Sequence, residues 1–388
     1  MRVAYVCADP GVGVFGRKGA SVHAQAVLRE FEAMGAEVHL LAVRTGDQPP
    51  SGLGSVQVHP LPDVTRGEPA AREISARASD AAVAGVLDDL HAEAPFDLVY
   101  ERYSLWGRTA TAWAAARGVP SVLEVNAPLV QEQAEHRHLI DRAGAETVAR
   151  RALSAATAVV CVSDDIAAWA RTLARDPGRV HTVPNGVDVD LVTPSPRPPT
   201  PATGAPFTVG FVGTLKPWHG VETLVAALGI LATDDRSYRL LLVGDGPRAD
   251  ALLDQAREAG VDDLVEATGA VDHDAVPALL HRIDVATAPY PAAEGFYFSP
   301  LKVYEYLAAG LPVVASRAGQ VDQALDGGRL GVLVEPGDPA ALAEAIASLR
   351  SDLHRRTVLG RAARERAARA HTWRGVVVRS LGLAGVGV

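Results

Sequence analysis

Cysteine is almost absent from this chain of 388 residues: there are two, Cys7 and Cys161, each inside an apolar run (AYVCA and VVCVS). Two such thiols argue against a disulfide framework or a Cys-based metal site, and they read as buried and reduced. Lysine is nearly as scarce. Of 37 Lys plus Arg, only Lys18, Lys216 and Lys302 are lysines, and all three fall in Gly- or Pro-containing loops (GRKGAS, TLKPWHG and FSPLK). A compact ammonium suits phosphate oxygens. No apolar stretch approaches the ~18 residues of a membrane span. The opening MRVAYVCADP runs from a short apolar stretch into Asp-Pro, unlike a signal peptide. These absences predict a cytoplasmic protein. A broad basic surface is also missing: the net charge of −9 argues against a nucleic-acid partner.

What is present is enough apolar matter for two cores, with 48% hydrophobic residues and a mean hydropathy of +0.09. RVAYVC, EVHLLAV, FDLVY, PSVLEV and TAVVCV read as buried parallel strands. Helical patterns lie between and after them, over 21–34, 70–92, 105–116, 128–155 and 165–174. Residues 193–206, TPSPRPPTPATGAP, then carry six prolines and no apolar period. That is a stiff linker and a domain boundary. Afterwards FTVGFV, RLLLVG, LVEATG, DVATAP, PVVAS and GVLV restart the alternation. The fold class expected is α/β, with two Rossmann-like doubly wound domains facing each other across a cleft. The expected division is 1–190 for an acceptor-side domain, 191–206 for the linker and 207–370 for a nucleotide-sugar-binding domain. A tail over 371–388 is expected to pack back on the first domain. The Ala- and Arg-rich segment 352–380 reads as a solvated basic helix, and contact with an anionic membrane is the less favoured reading.

Gly11-Val-Gly13-Val-Phe-Gly16 satisfies a dinucleotide-binding pattern, but Asp9-Pro10 separates it from the first strand. The helix cannot begin before Ser21, and the second strand ends in Arg44 rather than an acidic residue. Dinucleotide binding is therefore not expected. A glycine loop feeding a helix N-terminus still suits an anion or a sugar hydroxyl. Phe211-Val-Gly213-Thr-Leu-Lys216-Pro-Trp-His219-Gly220 follows a strand and opens a helix at Val221; its amides and Lys216 suit a diphosphate, although a plain turn fits as well. In Phe298-Ser-Pro-Leu-Lys302-Val-Tyr-Glu305-Tyr-Leu-Ala-Ala-Gly310, a helix starts near Leu301 with Ser299 as N-cap and Gly310 as stop. Lys302 and Glu305 then share one helical face. The bland alternative is a surface ion pair.

With these pieces in place, the C-terminal half resembles glycosyltransferase family 4, of GT-B architecture. The matching segments are VPNGVD (183–188), FVGTLKPWHG (211–220), LLLVGDGP (240–247), GAVDHDAVPALLHRIDVATAPY (269–290) and SPLKVYEYLAAGLPVVAS (299–316). The N-terminal half matches more loosely, through GRKGASVH. The resemblance implies that Glu305 binds the donor ribose and that Gly213 and Lys216 line the diphosphate; Lys302, also expected at the donor, would join Lys216 in supplying the positive charge that the family's arginine and lysine provide. It implies that main chain at Ser299, Pro300 and Leu301 caps the phosphates, and that main chain near Val271 meets the nucleobase. Gly19 and Ala20 would approach the donor phosphates and sugar. Arg17, Lys18, His23, Tyr103 and Asn126 would form the acceptor side. Asn126 stands where relatives often carry a histidine that helps position the sugar. Its catalytic set would be Asn126, Lys216, Lys302 and Glu305.

Three departures from the family pattern stand out. Tyr297 occupies the place of an upstream glutamate, with Glu294 nearby. Thr214 and His219 replace a usual arginine and lysine. Asn126 cannot carry a proton as a histidine does. Asp188-Val-Asp190 and Asp272-His-Asp274 match a metal-binding pattern but read better as a turn and a helix cap. The expectation is a metal-independent, cofactor-free, retaining hexosyltransferase, using a UDP- rather than a GDP-sugar. Residues 1–190 carry 18 basic against 24 acidic residues, a net of −6, which suits a small polar or cationic acceptor such as an aminocyclitol. The alternatives are a lipid acceptor at a membrane surface and a nucleotide-sugar epimerase of the same fold.

Overall fold

Each apolar run read as a strand is a strand in the computed structural model, which describes residues 1–197, 206–292, 297 and 299–387 (of His136, the backbone alone). In the N-terminal half these are β1 (Arg2–Cys7), β2 (Glu37–Ala42), β3 (Gln57–Pro60), β4 (Leu98–Arg102), β5 (Ser121–Val125), β6 (Ala158–Cys161) and β7 (Val180–Thr182). They form one parallel sheet in the order β3-β2-β1-β4-β5-β6-β7. The sequence reading missed β3 and β7. Both are short edge strands, and β3 is half-exposed, so neither carries a continuous apolar run. Cys7 and Cys161 are buried and unpaired.

After the Pro-rich segment come β8 (Phe207–Val212), β9 (Tyr238–Val243), β10 (Val265–Ala267), β11 (Val285–Ala288), β12 (Val313–Ser316) and β13 (Val332–Val334). Their order is β10-β9-β8-β11-β12-β13, again all parallel. In each sheet the order reverses beside the first strand, between β1 and β4 and between β8 and β11. Loops leaving the carboxyl ends of these strands diverge there and open a crevice.

By contacts, residues 1–185 and the C-terminal helix Trp373–Leu383 make one unit, and residues 186–372 make the other. The terminal helix lies against the helix Gly19–Ala33 and β6, with Trp373 edge-on to His23 at 4.8 Å between ring centroids. The first part of the expected linker is not free of the second unit. Val192 is buried in its core, and the Val192 carbonyl accepts from Arg364 at 2.9 Å. Residues 198–205 lie outside the described residues.

Three helix readings need correction. The helix expected over 128–155 is two, Leu129–His136 and Arg142–Ala155. Glu73 accepts from the Ile140 and Asp141 amides in the break, at 2.7 and 3.1 Å. Asp141 then caps the second helix through the Gly144 amide. His138 lies in this break, exposed. The helix expected from Leu105 begins at Thr109, because Asp80 accepts the Arg108 and Thr109 amides. The basic helix Leu353–Ala370 is not simply solvated. Arg356 is buried and donates to the Leu349 carbonyl, while Arg364 clamps the carbonyls of Val189, Val192 and Ala308. A planar guanidinium with five donors can tie several chain segments together in this way. Among the described residues no helix is long and apolar enough to cross a membrane.

Candidate functional site

In the second unit the loop after β8 meets the start of the helix Leu301–Ala308. That helix begins behind Pro300, which makes no side-chain cap. The N-cap position is Pro300 rather than the expected Ser299, whose hydroxyl bonds Tyr304. Gly310, with φ +65°, ends the helix as expected. Lys302 sits in the first turn and is only 8% exposed. Its ammonium lies 4.2 Å from the Phe211 ring centroid and 5.3 Å from that of Tyr290. It has no hydrogen-bond partner among the described residues. Burial draws the Lys302 pKa down to about 7, against the opposing pull of Glu305.

Gly213 makes room for this ammonium. Its φ of +138° already favours glycine. A Cβ at that position would stand 3.0 Å from Lys302 Cε and 3.2 Å from its Nζ. Glu305 is one turn further along the helix, with its carboxyl raised by burial, against the opposing effects of His273 and Lys302. His273 Nδ1 lies 3.8 Å from Glu305 Oε1. Lys216 is half-exposed beside the Trp218 ring at 5.3 Å. Val271 is half-buried against the core just before His273. The structure therefore gathers Gly213, Lys302 and Glu305 around one helix N-terminus, with Lys216 on the adjoining loop.

In the first unit Asn126 follows β5, and its amide donates to Glu124 Oε1 at 2.6 Å. Glu124 also accepts from Arg102 at 2.8 Å and from Tyr100 at 2.7 Å. His23 Nε2 approaches its other oxygen at 2.9 Å, without an aligned hydrogen bond. Burial by itself would raise the Glu124 carboxyl. His23, Arg102 and Asn126 outweigh that effect and hold it far below the usual carboxylate range. His23 and Tyr103, expected on the acceptor side, are both buried. Arg17, Lys18 and Gly19 are exposed at the start of the helix Gly19–Ala33, with Ala20 half-buried behind them. That helix starts two residues earlier than the sequence reading placed it.

The glycine loop ahead of it is closed on itself. Val14 and Phe15 amides donate to Arg44 and Thr45 carbonyls, and the Gly16 amide to Gly13. Ser21 and Gln25 take the Gly13, Val14 and Gly16 carbonyls. Amides engaged in this way cannot cradle a pyrophosphate.

A model of glycosyltransferase family 4 matches residues 17–191, and one of glycosyl transferases group 1 matches residues 206–352. The chain is a family 4 glycosyltransferase of GT-B architecture. It is 34% identical to glycogen synthase of Mycobacterium tuberculosis over 199 residues, 51% of this chain. That match spans 46%, about half, of the relative's length. It is 29% identical to D-inositol 3-phosphate glycosyltransferase 2 of Catenulispora acidiphila, covering 93% of this chain and 88% of the relative. The fold is that of the Anabaena HepE protein solved with UDP, with a TM-score of 0.73 and 20% identity. That likeness covers 99% of this chain and 100% of HepE.

Within this glycosyltransferase the departures have physical consequences. Burial first, and then Lys302, push His219 down to about 3, so a neutral imidazole fills the place of the family's lysine. Tyr297 is half-buried, and Glu294 lies outside the described residues. Asp188 accepts from the Asp190 and Leu191 amides at 3.0 and 2.9 Å, as a turn residue does. Asp272 stands at the N-cap of the turn His273–Ala275 without the side-chain cap expected of it. Among the described residues no group of three or more His, Cys, Asp or Glu side chains could hold a metal.

Sequence reasoning missed Glu124, Arg102 and His273. The signal for the first two was charge inside strands otherwise buried on both faces (LVYER and SVLEV).

Lys216 is more exposed than Lys302, so its removal has the smaller effect. Lys216→Ala is expected to weaken nucleoside diphosphate binding by about 1 kcal/mol, roughly fivefold. Calorimetry with UDP reads this directly; a loss equal to that of the Lys302 variant would contradict the ordering.

Proposed function

We propose that this glycosyltransferase moves a sugar from a UDP-sugar to a small polar acceptor, with retention at the anomeric carbon and without a metal ion. The observation that carries the reading is the buried ammonium of Lys302. A buried cation without a hydrogen-bond partner is costly unless an anion completes it. Here it stands in the first turn of a helix, where amides and the helix dipole also favour negative charge.

In this reading Lys302 and Lys216 hold the diphosphate, and Glu305 accepts hydroxyl hydrogens of the ribose. Val271 and His273 border the nucleobase. As the anomeric carbon–oxygen bond to the diphosphate breaks, negative charge grows on the leaving phosphate, and fixed cations stabilise it. The acceptor oxygen bonds the same face of the anomeric carbon. Its proton passes to a leaving phosphate oxygen, so no protein nucleophile is needed. Asn126, tethered by Glu124, orients a sugar hydroxyl and carries no proton. The UDP complex of HepE supports uracil as the base.

A thermal-shift panel of UDP- and GDP-sugars tests the donor. A bound donor at ~100 times its dissociation constant adds about 2.7 kcal/mol of stability. NMR of the isolated product tests the stereochemistry, and an inverted anomer would sink the front-face route. Turnover is expected to survive EDTA. Free nucleotide with a C2-epimerised sugar and no glycoside would mark an epimerase instead.

A further inference from the structure

A pocket of about 570 Å³ opens in the first unit and contains none of the site residues named above. Loops leaving the carboxyl ends of β1, β2, β3 and β4 form it, the edge at which open α/β sheets bind ligands. Its size falls in the range of small-molecule sites.

The charged groups on its wall are unequal in their commitments. Four are carboxylates: Asp9, Asp63, Glu73 and Asp80. Glu73 is spent on the Ile140 and Asp141 amides. Asp80 is spent on the Arg108 and Thr109 amides and the Thr109 hydroxyl. Asp9 accepts from the Gly11 amide at 2.7 Å. Four are guanidiniums: Arg44, Arg66, Arg72 and Arg137. Among the described residues the Arg44 side chain donates only to the Pro10 carbonyl, at 3.2 Å. The side chains of Arg66, Arg72 and Arg137 have no hydrogen bond or ion pair among the described residues. The wall is formally neutral, but three of its carboxylates are engaged by backbone; the exposed Asp63 is the one carboxylate of the four without a bond among the described residues, against the three uncommitted guanidiniums. The acidic balance of residues 1–190 does not carry into this pocket.

The geometry points to this pocket as the seat of a phosphate-bearing polyol, with the phosphate on Arg66, Arg72 and Arg137. Guanidiniums match phosphate in fork geometry, and several around one anion suit a dianion. Ser104 and Gln133 on the same wall offer partners to hydroxyl groups. Calling this molecule the acceptor rests on the transferase reading above; the binding itself does not. It replaces the cationic acceptor expected from the net charge of residues 1–190.

The test is calorimetric titration of the full chain with myo-inositol monophosphate, glycerol 3-phosphate and unphosphorylated inositol. Each is run with saturating UDP present, so that phosphate cannot occupy the donor site. A phosphate ester is expected to bind at least about tenfold more tightly than the unphosphorylated polyol, and less tightly as salt rises. Arg72→Ala/Arg137→Ala should lose about tenfold or more in that affinity while keeping its UDP affinity and its melting temperature. Vesicles of phosphatidylinositol in phosphatidylcholine form a second arm. Co-sedimentation that the double variant loses, without binding of the soluble esters, assigns the phosphate to a lipid headgroup. No preference for phosphate in either arm, or an unaffected double variant, overturns the proposal. Failure of UDP to bind would instead strike the donor assignment and leave this result readable.

Discussion

Lys302→Met is expected to weaken binding of UDP by about 1.5–3 kcal/mol, roughly ten- to 150-fold, and yet to raise the melting temperature of the unliganded protein. The two effects have one cause. The ammonium is buried against Phe211, Tyr290 and Gly213 with no hydrogen-bond partner among the described residues. Methionine fills similar space without the desolvation cost. Burial lowers the Lys302 pKa from its ordinary 10.5 to about 7. Between those values the unfolded chain binds a proton that the folded chain does not. Stability of the unliganded protein should therefore rise with pH across about 7 to 10.5, with the full penalty present below about 7.

Binding carries the opposite sign. An anion needs the ammonium, so donor affinity should be flat below about pH 7 and fall above it, by up to about tenfold per pH unit while a proton must be taken up. The methionine variant should lose both slopes. Calorimetry and thermal melts at pH 6 and pH 9 read both. Unchanged UDP affinity, or a lower melting temperature in the variant, would refute the assignment.

Glu124→Ala is expected to cost about 3–5 kcal/mol of folding stability, the largest structural effect we anticipate. One carboxylate, only 2% exposed, accepts from Arg102, Tyr100 and Asn126 and stands beside His23. Removing it leaves a buried guanidinium without its counter-charge and several donors without an acceptor. Glu124→Gln keeps the shape and should recover part of the loss. The carboxyl is depressed in the folded state. Its contribution is therefore fully present above the unfolded value of ~4.3 and is lost as pH falls through the lower folded value. Urea unfolding at pH 7 and pH 3.5 should show the gap between wild type and alanine variant narrowing at the lower pH. A loss under about 1 kcal/mol at pH 7 would mean the cluster is not the anchor described here. Asn126, untethered, should also lower kcat more than the KM for the donor.

The sheets and the loop after β8 were legible because they rest on local chemistry. Parallel strands buried on both faces must be apolar runs, and FTVGFV, VVAS and their kin announce themselves. Gly310 ended its helix as read, since a left-handed residue there favours glycine. The scarcity of lysine singled out Lys302 before any contact was known. What the sequence alone did not yield was whatever depends on partners distant in the chain. The cap position fell on Pro300 while Ser299 bonded Tyr304, the long helix broke where Glu73 captured two amides, and Glu124 drew four side chains onto one carboxylate. The pocket of arginines is the clearest case. Composition says residues 1–190 are acidic. Only the folded chain shows that three of the four nearby carboxylates are already bonded to backbone amides, while the side chains of Arg66, Arg72 and Arg137 have no bond among the described residues. A sequence sets the number of charges, but tertiary structure decides which of them are spent.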